Sequence, residues 1–227
     1  MTVAALSYPW RTAPVPADSG RGDGADPLAA LVVRIRAGDL LAFEALYRKT
    51  RDQVQAVLYR LVGSNSEMDD LVQQVYLQLL SAIRGFRGEA KFSTFLHRVC
   101  ANVALMHLRT RRRRPEEPTA ELPEQSADGR SDPERAAQIQ QAAAMMQKVL
   151  DRMTPKKRVV FVYHELMGMG PEEIALAVDT SANTVRSRLH HARLEFTQVM
   201  ARLQQEPGVW AQERRRMLAG GGGDGEA

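Results

Sequence analysis

Apolar residues recur along this chain at spacings of three and four, the period of an amphipathic helix. Nowhere do they alternate over a length that would make a strand. Leu28, Leu31, Val32 and Ile35 share one face behind Pro27, which suits a first helical position. Gly38 is placed to stop that helix and Asp39 to cap the next. Phe43, Leu46, Tyr47, Val54, Val57, Leu58, Leu61 and Val62 then hold the period until Gly63. Ser64 or Ser66 can cap a third helix, striped by Met68, Leu71, Val72, Val75, Leu79 and Ile83. Its first turn carries Asp69 and Asp70, where the helix dipole favours negative charge. Gly85 ends it, and a loop leads to Phe92. Ser93 or Thr94 is expected to cap a fourth helix through Phe95, Leu96, Val99, Val103 and Met106. That helix runs into Arg109 and Arg111–Arg114 and stops before Pro115.

The pattern resumes near Pro133 with a helix through Met153, carrying Ile139, Met146, Val149 and Leu150. Thr154 caps the next, with Pro155 at its first position and Val159, Val162, Tyr163 and Leu166 as core residues up to Gly168. A short helix from Pro171 to about Val178 follows, then a turn at Asp179–Thr180. Ser181 caps a long helix reaching about Gln205. The pattern predicts an all-α protein of two small helical domains, over residues 28–114 and 138–205. Between them, residues 115–137 are acidic and rich in proline and read as a flexible linker. Residues 1–27 and 206–227 keep no apolar period and read as disordered tails.

Composition adds little until it is split along the chain. The whole has 227 residues, 44% of them hydrophobic, and a formal charge of +4. Residues 28–114 carry a net of +8, residues 115–145 a net of −5 and residues 146–205 a net of +3. Two basic modules bridged by an acidic stretch point to a polyanionic partner. The single cysteine, Cys100, excludes an internal disulfide framework, fits a reducing compartment and reads as a small core residue. No apolar run approaches a membrane span or a secretory signal core, so a cytoplasmic location is expected.

The sharpest local signal is a helix-turn-helix. Ile174 and Val185 are placed to pack between two helices, with the small Ala175 allowing a close crossing. Glycine is commonest in such a turn; here Asp179 stands there, and Asp tolerates the left-handed conformation better than most residues. On a wheel of about 100° per residue, Val185, Leu189, Ala192, Phe196, Val199 and Leu203 form the core side of the last helix. Asn183, Arg186, Ser187, His190 and His191 fall on the opposite face near its N-terminus, where recognition helices meet base edges. Arg188 and Arg193 lie on the flanks and suit phosphate contact.

Two further stretches carry a resemblance. Asp69-Asp70-Leu71-Val72-Gln73-Gln74-Val75-Tyr76, then Phe86-Arg87-Gly88, Phe92-Ser93-Thr94-Phe95-Leu96, Asn102 and the arginine cluster resemble region 2 of bacterial sigma factors. Thr154-Pro155-Lys156-Lys157-Arg158, Glu173-Ile174-Ala175 and the run Thr184 to Arg193 resemble region 4. The two together, with no region 3 between, look like an extracytoplasmic-function (ECF) sigma factor. The resemblance implies a sigma factor that binds core RNA polymerase and reads −35 and −10 promoter elements. It maps docking on the polymerase β′ clamp onto Asp69, Asp70, Gln73, Gln74 and Tyr76. It maps −10 recognition and capture of a flipped base onto Arg87, Gly88, Lys91, Phe92, Ser93, Thr94, Phe95, Asn102, Arg109, Arg111 and Arg112. It maps −35 recognition onto Asn183, Thr184, Arg186, Ser187, Arg188, His190, His191 and Arg193, the face that the wheel also gave. It further implies a contact with the β flap and an anti-sigma factor, often membrane-bound, with the chain a monomer when free.

The residues give no support to an enzyme. His190 and His191 are adjacent on a helix and cannot face one metal, and His164-Glu165 lacks the second histidine of a zinc-protease helix. No metal, cofactor or small-molecule substrate is expected. Two other classes fit parts of the chain: a free-standing helix-turn-helix regulator, and a polymerase inhibitor that imitates a sigma factor.

Overall fold

The computed structural model describes residues 28–63, 66–86, 91–113 and 133–205, with side chains of the last stretch from 142 to 202. The acidic segment and both tails named above lie outside the described residues, apart from the start of α5, at residues 133–137. The helices are α1 (Ala29–Arg36), α2 (Leu40–Val62), α3 (Met68–Ala82), α4 (Phe92–Arg113), α5 (Pro133–Arg152), α6 (Pro155–Phe161), α7 (Pro171–Ala177) and α8 (Ala182–Gln205). No strand occurs among the described residues.

Local chemistry sets most boundaries. Gly38 turns the chain at φ +92°, and the Asp39 carboxylate accepts the Ala42 amide at 3.1 Å to cap α2. Arg34 clamps the same carboxylate at 2.7 Å, which holds its pKa below the usual value. Two expected caps are corrected. The residue that caps α3 is Glu67, without a side-chain bond, rather than Ser66; Ser64 is outside the described residues. Helix α4 starts at Phe92, which puts Ser93 and Thr94 inside its first turn instead of ahead of it. The start is set by burial, since Phe92 is fully enclosed and its backbone joins the helix to enclose it.

In the first half α2 packs on α1, α3 and α4, and α3 on α4. Leu46, Val54, Leu58, Leu61, Val75, Leu79 and Val103 are completely buried there. Each such side chain contributes about 1.5–3 kcal/mol. In the second half α8 packs on α6 and α7 around Val159, Phe161, Ile174, Val185 and Phe196. Ala177 is the fully buried small residue of α7, while Ala175 is only half-buried. The helix begun at Pro155 does not continue regularly: Val162–Leu166 form a π turn, closed by the Met167 amide on the Val162 carbonyl at 3.1 Å. Gly168 (φ +73°) then reverses the chain.

The two halves share one continuous core, because α4 also packs on α6 and α7. At this junction α2 ends on Gly63, with φ +86° and ψ −175°, a conformation open in practice to glycine alone. A Cβ there would also collide with the Gln147 amide of α5. Gly63→Ala is expected to lower stability by about 1–3 kcal/mol, read as a fall in the thermal melting temperature.

Candidate nucleic-acid interface

Three surfaces gather the residues singled out by sequence. The first is the outer face of α3. Asp69, Asp70, Gln73 and Gln74 are all exposed, in helical register on one side. Leu77 (60% exposed) and Leu80 (39%) extend the same face. The sequence reading missed both leucines, although each lies off the buried stripe of its helix, which is the signal that could have found them. Tyr76 is a correction. It is 5% exposed, with its ring 4.7 Å from Tyr47 and 6.3 Å from Phe43. The Thr50 hydroxyl is spent on the Leu46 carbonyl at 2.8 Å, so the Tyr76 hydroxyl donates to Thr50 Oγ1 at 2.9 Å. Burial pushes the Tyr76 pKa up to about 12. This tyrosine supports α3 from behind and does not stand on its outer face.

The second surface is the start of α4. Phe86, Phe92 and Phe95 form an aromatic cluster, with centroids 4.9 Å apart for Phe86–Phe95, 5.9 Å for Phe86–Phe92 and 6.1 Å for Phe92–Phe95. Phe92 and Thr94 are buried, so neither is presented to a ligand here; Phe95 and Ser93 are half-buried and Lys91 is exposed. Arg87 and Gly88 lie outside the described residues. Further along α4, Asn102 and Arg109 are exposed and Arg111 is half-buried. Arg112 is exposed yet engaged: it donates to the Met153 carbonyl at 2.7 Å, just past the end of α5, where a cation suits the helix dipole.

The third surface belongs to α7 and α8. Ser181 accepts the Thr184 amide at 3.1 Å, and the two hydroxyls lie 2.9 Å apart, which fixes the helix start. Asp179 holds the turn at φ +51°, the left-handed conformation the sequence anticipated. Asn183, Arg186, Ser187, His190 and His191 are all exposed on one face; Thr184 and Arg188 are half-buried. Arg186 donates to Asn183 Oδ1 at 2.9 Å and pairs with Glu172 at the start of α7. Two residues of the motif therefore orient this guanidinium before any ligand arrives. Arg193 is held by Glu165 at 2.7 Å, which leaves less of it for a phosphate.

Behind these surfaces sits His97, buried on α4, with its ring centroid 5.6 Å from that of Tyr163 and Nδ1 unpartnered among the described residues. Burial lowers its pKa from 6.5 to about 4. The unfolded chain binds this proton at higher pH than the folded chain does. Stability from this group is thus complete above about pH 6.5 and declines as pH falls towards 4, by about 3 kcal/mol in all. Urea melts between pH 7 and pH 4 are expected to show this slope, and His97→Gln to flatten it.

Among the described residues, no group of three His, Cys, Asp or Glu side chains is placed to hold a metal ion. No helix there is long and apolar enough to cross a membrane.

Known proteins match both halves of the chain. The Sigma-70 region 2 family matches residues 46–114 and the Sigma-70, region 4 family matches residues 143–196. The chain is 30% identical over 172 residues to the RNA polymerase sigma-H factor of Pseudomonas aeruginosa, covering 72% of this chain and 88% of that protein. It is 31% identical over 173 residues to the ECF RNA polymerase sigma-E factor of Haemophilus influenzae, covering 72% of this chain and 90% of that protein. The chain belongs to the ECF RNA polymerase sigma factors. In fold it is similar to CnrH, solved in complex with the cytosolic domain of CnrY, with a TM-score of 0.55 and 19% identity over 76% of this chain and 96% of that one. As a sigma factor it directs promoter-specific transcription initiation, with core RNA polymerase and promoter DNA as partners. It performs no catalysis of its own.

Proposed function

We propose that the three surfaces divide the work of initiation. The outer face of α3, with Asp69, Asp70, Gln73, Gln74, Leu77 and Leu80, docks on the β′ clamp of core polymerase. Leucines beside carboxylates and amides give the mix of apolar anchor and polar rim that protein interfaces use. The start of α4 takes the melted −10 strand. A base leaving its stack needs an aromatic surface and nearby positive charge, supplied by the half-buried Phe95, by Phe86 and by Lys91. Asn102 and Arg109 continue along the strand, with Arg111 beside them. Helix α8 reads the −35 duplex through Arg186 and Asn183, with Ser187, His190 and His191 alongside and Arg188 at the phosphates.

The observation that carries this reading is the Arg186 arrangement. An exposed guanidinium, fixed from two sides at the N-terminal end of the second helix of a helix-turn-helix, is built to meet a guanine edge. Residues 28–114 and 138–205 act as the two functional modules, in a cytoplasmic setting. An anti-sigma factor is a further partner; the similarity to CnrH, solved with the cytosolic domain of CnrY, supports it. The test is in-vitro transcription with core polymerase on genomic promoter fragments. Defined promoter-specific transcripts are expected. Polymerase binding without any promoter-specific transcript would overturn the assignment of α4 and α8 to DNA.

A further inference from the structure

We infer that Glu165 sets the strength of the sequence-independent grip on promoter DNA, by holding Arg193 of α8 back from the phosphate backbone. Arg193 follows Arg186 by two helical turns and so stands within about 20° of the same line along α8. At about 1.5 Å per residue it lies about 10 Å further along the axis. A major groove is about 12 Å wide, so a helix that sets Arg186 against base edges carries Arg193 to the rim, where the phosphates run. The Arg193 guanidinium is already engaged. Its Nε and Nη2 both meet Glu165 Oε1 at 2.7 Å. Those two nitrogens form one edge of the fork with which arginine takes a phosphate at two points.

Glu165 is fixed by the fold. It stands on the π turn Val162–Leu166, which fits one more residue than an α turn and so re-aims the side chains on it. That turn is pinned to the chain beyond it. The Met169 amide donates to the carbonyl of the fully buried Tyr163 at 3.0 Å, and His164 Nδ1 donates to the Met169 carbonyl at 2.9 Å. The Glu165 side chain is only 18% exposed, so salt screens its pairing with Arg193 less than it would a surface pair. A phosphate that claims Arg193 has to displace this carboxylate and then lies near its negative charge. Base reading is set separately, because Asn183 and Glu172 orient Arg186. The inference rests on the assignment of α8 to the −35 duplex. Phosphate contacts supply the part of binding that ignores sequence. With Arg193 withheld, a larger share of the affinity is left to Arg186 and its neighbours.

The test uses holoenzyme assembled from the full chain and core polymerase, bound to two promoter fragments that differ only at −35, over a range of salt. Glu165→Gln is expected to tighten binding to both fragments, by up to about eight-fold near 0.1 M salt, and to steepen the salt dependence by about one, as one added phosphate contact does. Arg193→Ala should cancel that gain, so it costs several-fold more in the Glu165→Gln background than in the wild type. Glu165→Asp draws the carboxylate back by one methylene and should give part of the gain; it serves where circular dichroism shows that Glu165→Gln has failed to fold. A pair that only ties the π turn to α8 gives the opposite sign, with looser binding and a lower melting temperature. Unchanged or weaker binding in a folded Glu165 variant would overturn the proposal. So would equal costs of Arg193→Ala in the two backgrounds. Arg186→Ala, measured beside these, separates the two readings of α8. The Arg193-dependent gain with the −35 preference intact in Arg186→Ala would support the role of Glu165 and overturn base reading by Arg186. A lost preference without any gain would do the reverse.

Discussion

Arg186→Ala is expected to remove most of the −35 discrimination while leaving polymerase binding intact. A bidentate arginine–guanine contact is worth about 1–3 kcal/mol, so the preference for the native −35 sequence should fall by about ten- to a hundred-fold. Arg186 is exposed and its pairing with Glu172 is a surface one, so little stability is lost with it. The clean readout is competition between promoter fragments that differ only at −35. A variant that keeps its preference there would remove Arg186 from base reading. Glu172→Gln makes a useful companion. It frees one side of the guanidinium, and should relax discrimination less than Arg186→Ala does.

The second large effect is on folding. Phe161 and Phe196 stack across α6 and α8 with centroids 5.2 Å apart and planes within 23°. Both are buried. Phe196→Ala should lower stability by about 3–5 kcal/mol, because neighbours held by two other helices collapse only partly into the void. The expected outcome is loss of the helix-turn-helix, seen as reduced helicity at 37 °C, with loss of −35-dependent transcription. Capture of core polymerase through α3 should persist, because that face lies on the other half of the chain. Wild-type melting in this variant would mean that the stacked pair carries little of the fold.

The sequence revealed surfaces better than it revealed contacts between distant segments. The exposed row on α8 was legible because a single 3.6-residue period separates Asn183, Arg186, Ser187, His190 and His191 from Val185, Leu189, Ala192 and Phe196. The Asp39 and Ser181 caps were legible because their chemistry is local. Tyr76 was misplaced because a tyrosine has an apolar body and a polar tip, and only Thr50, 26 residues away, shows which end governs. The same limit applies to Phe92 and Thr94, whose burial depends on how the chain enters α4. Arg158 reads as a surface residue in any window of its own neighbours. Its role appears only beside the Leu61 carbonyl, 97 residues earlier. The π turn has no local signature either, and the sequence reading ran one helix straight through it.

One buried side chain bears on what the molecule can sense. Cys100 is the only cysteine, it is enclosed on α4, and burial pushes its pKa up to about 12. Peroxides and disulfides react with thiolate, and this sulfur is almost never ionised or reachable at neutral pH. The one thiol of the factor is therefore shielded from oxidants while the chain is folded. A signal carried by thiol oxidation has to be received by another molecule and relayed to this one through binding.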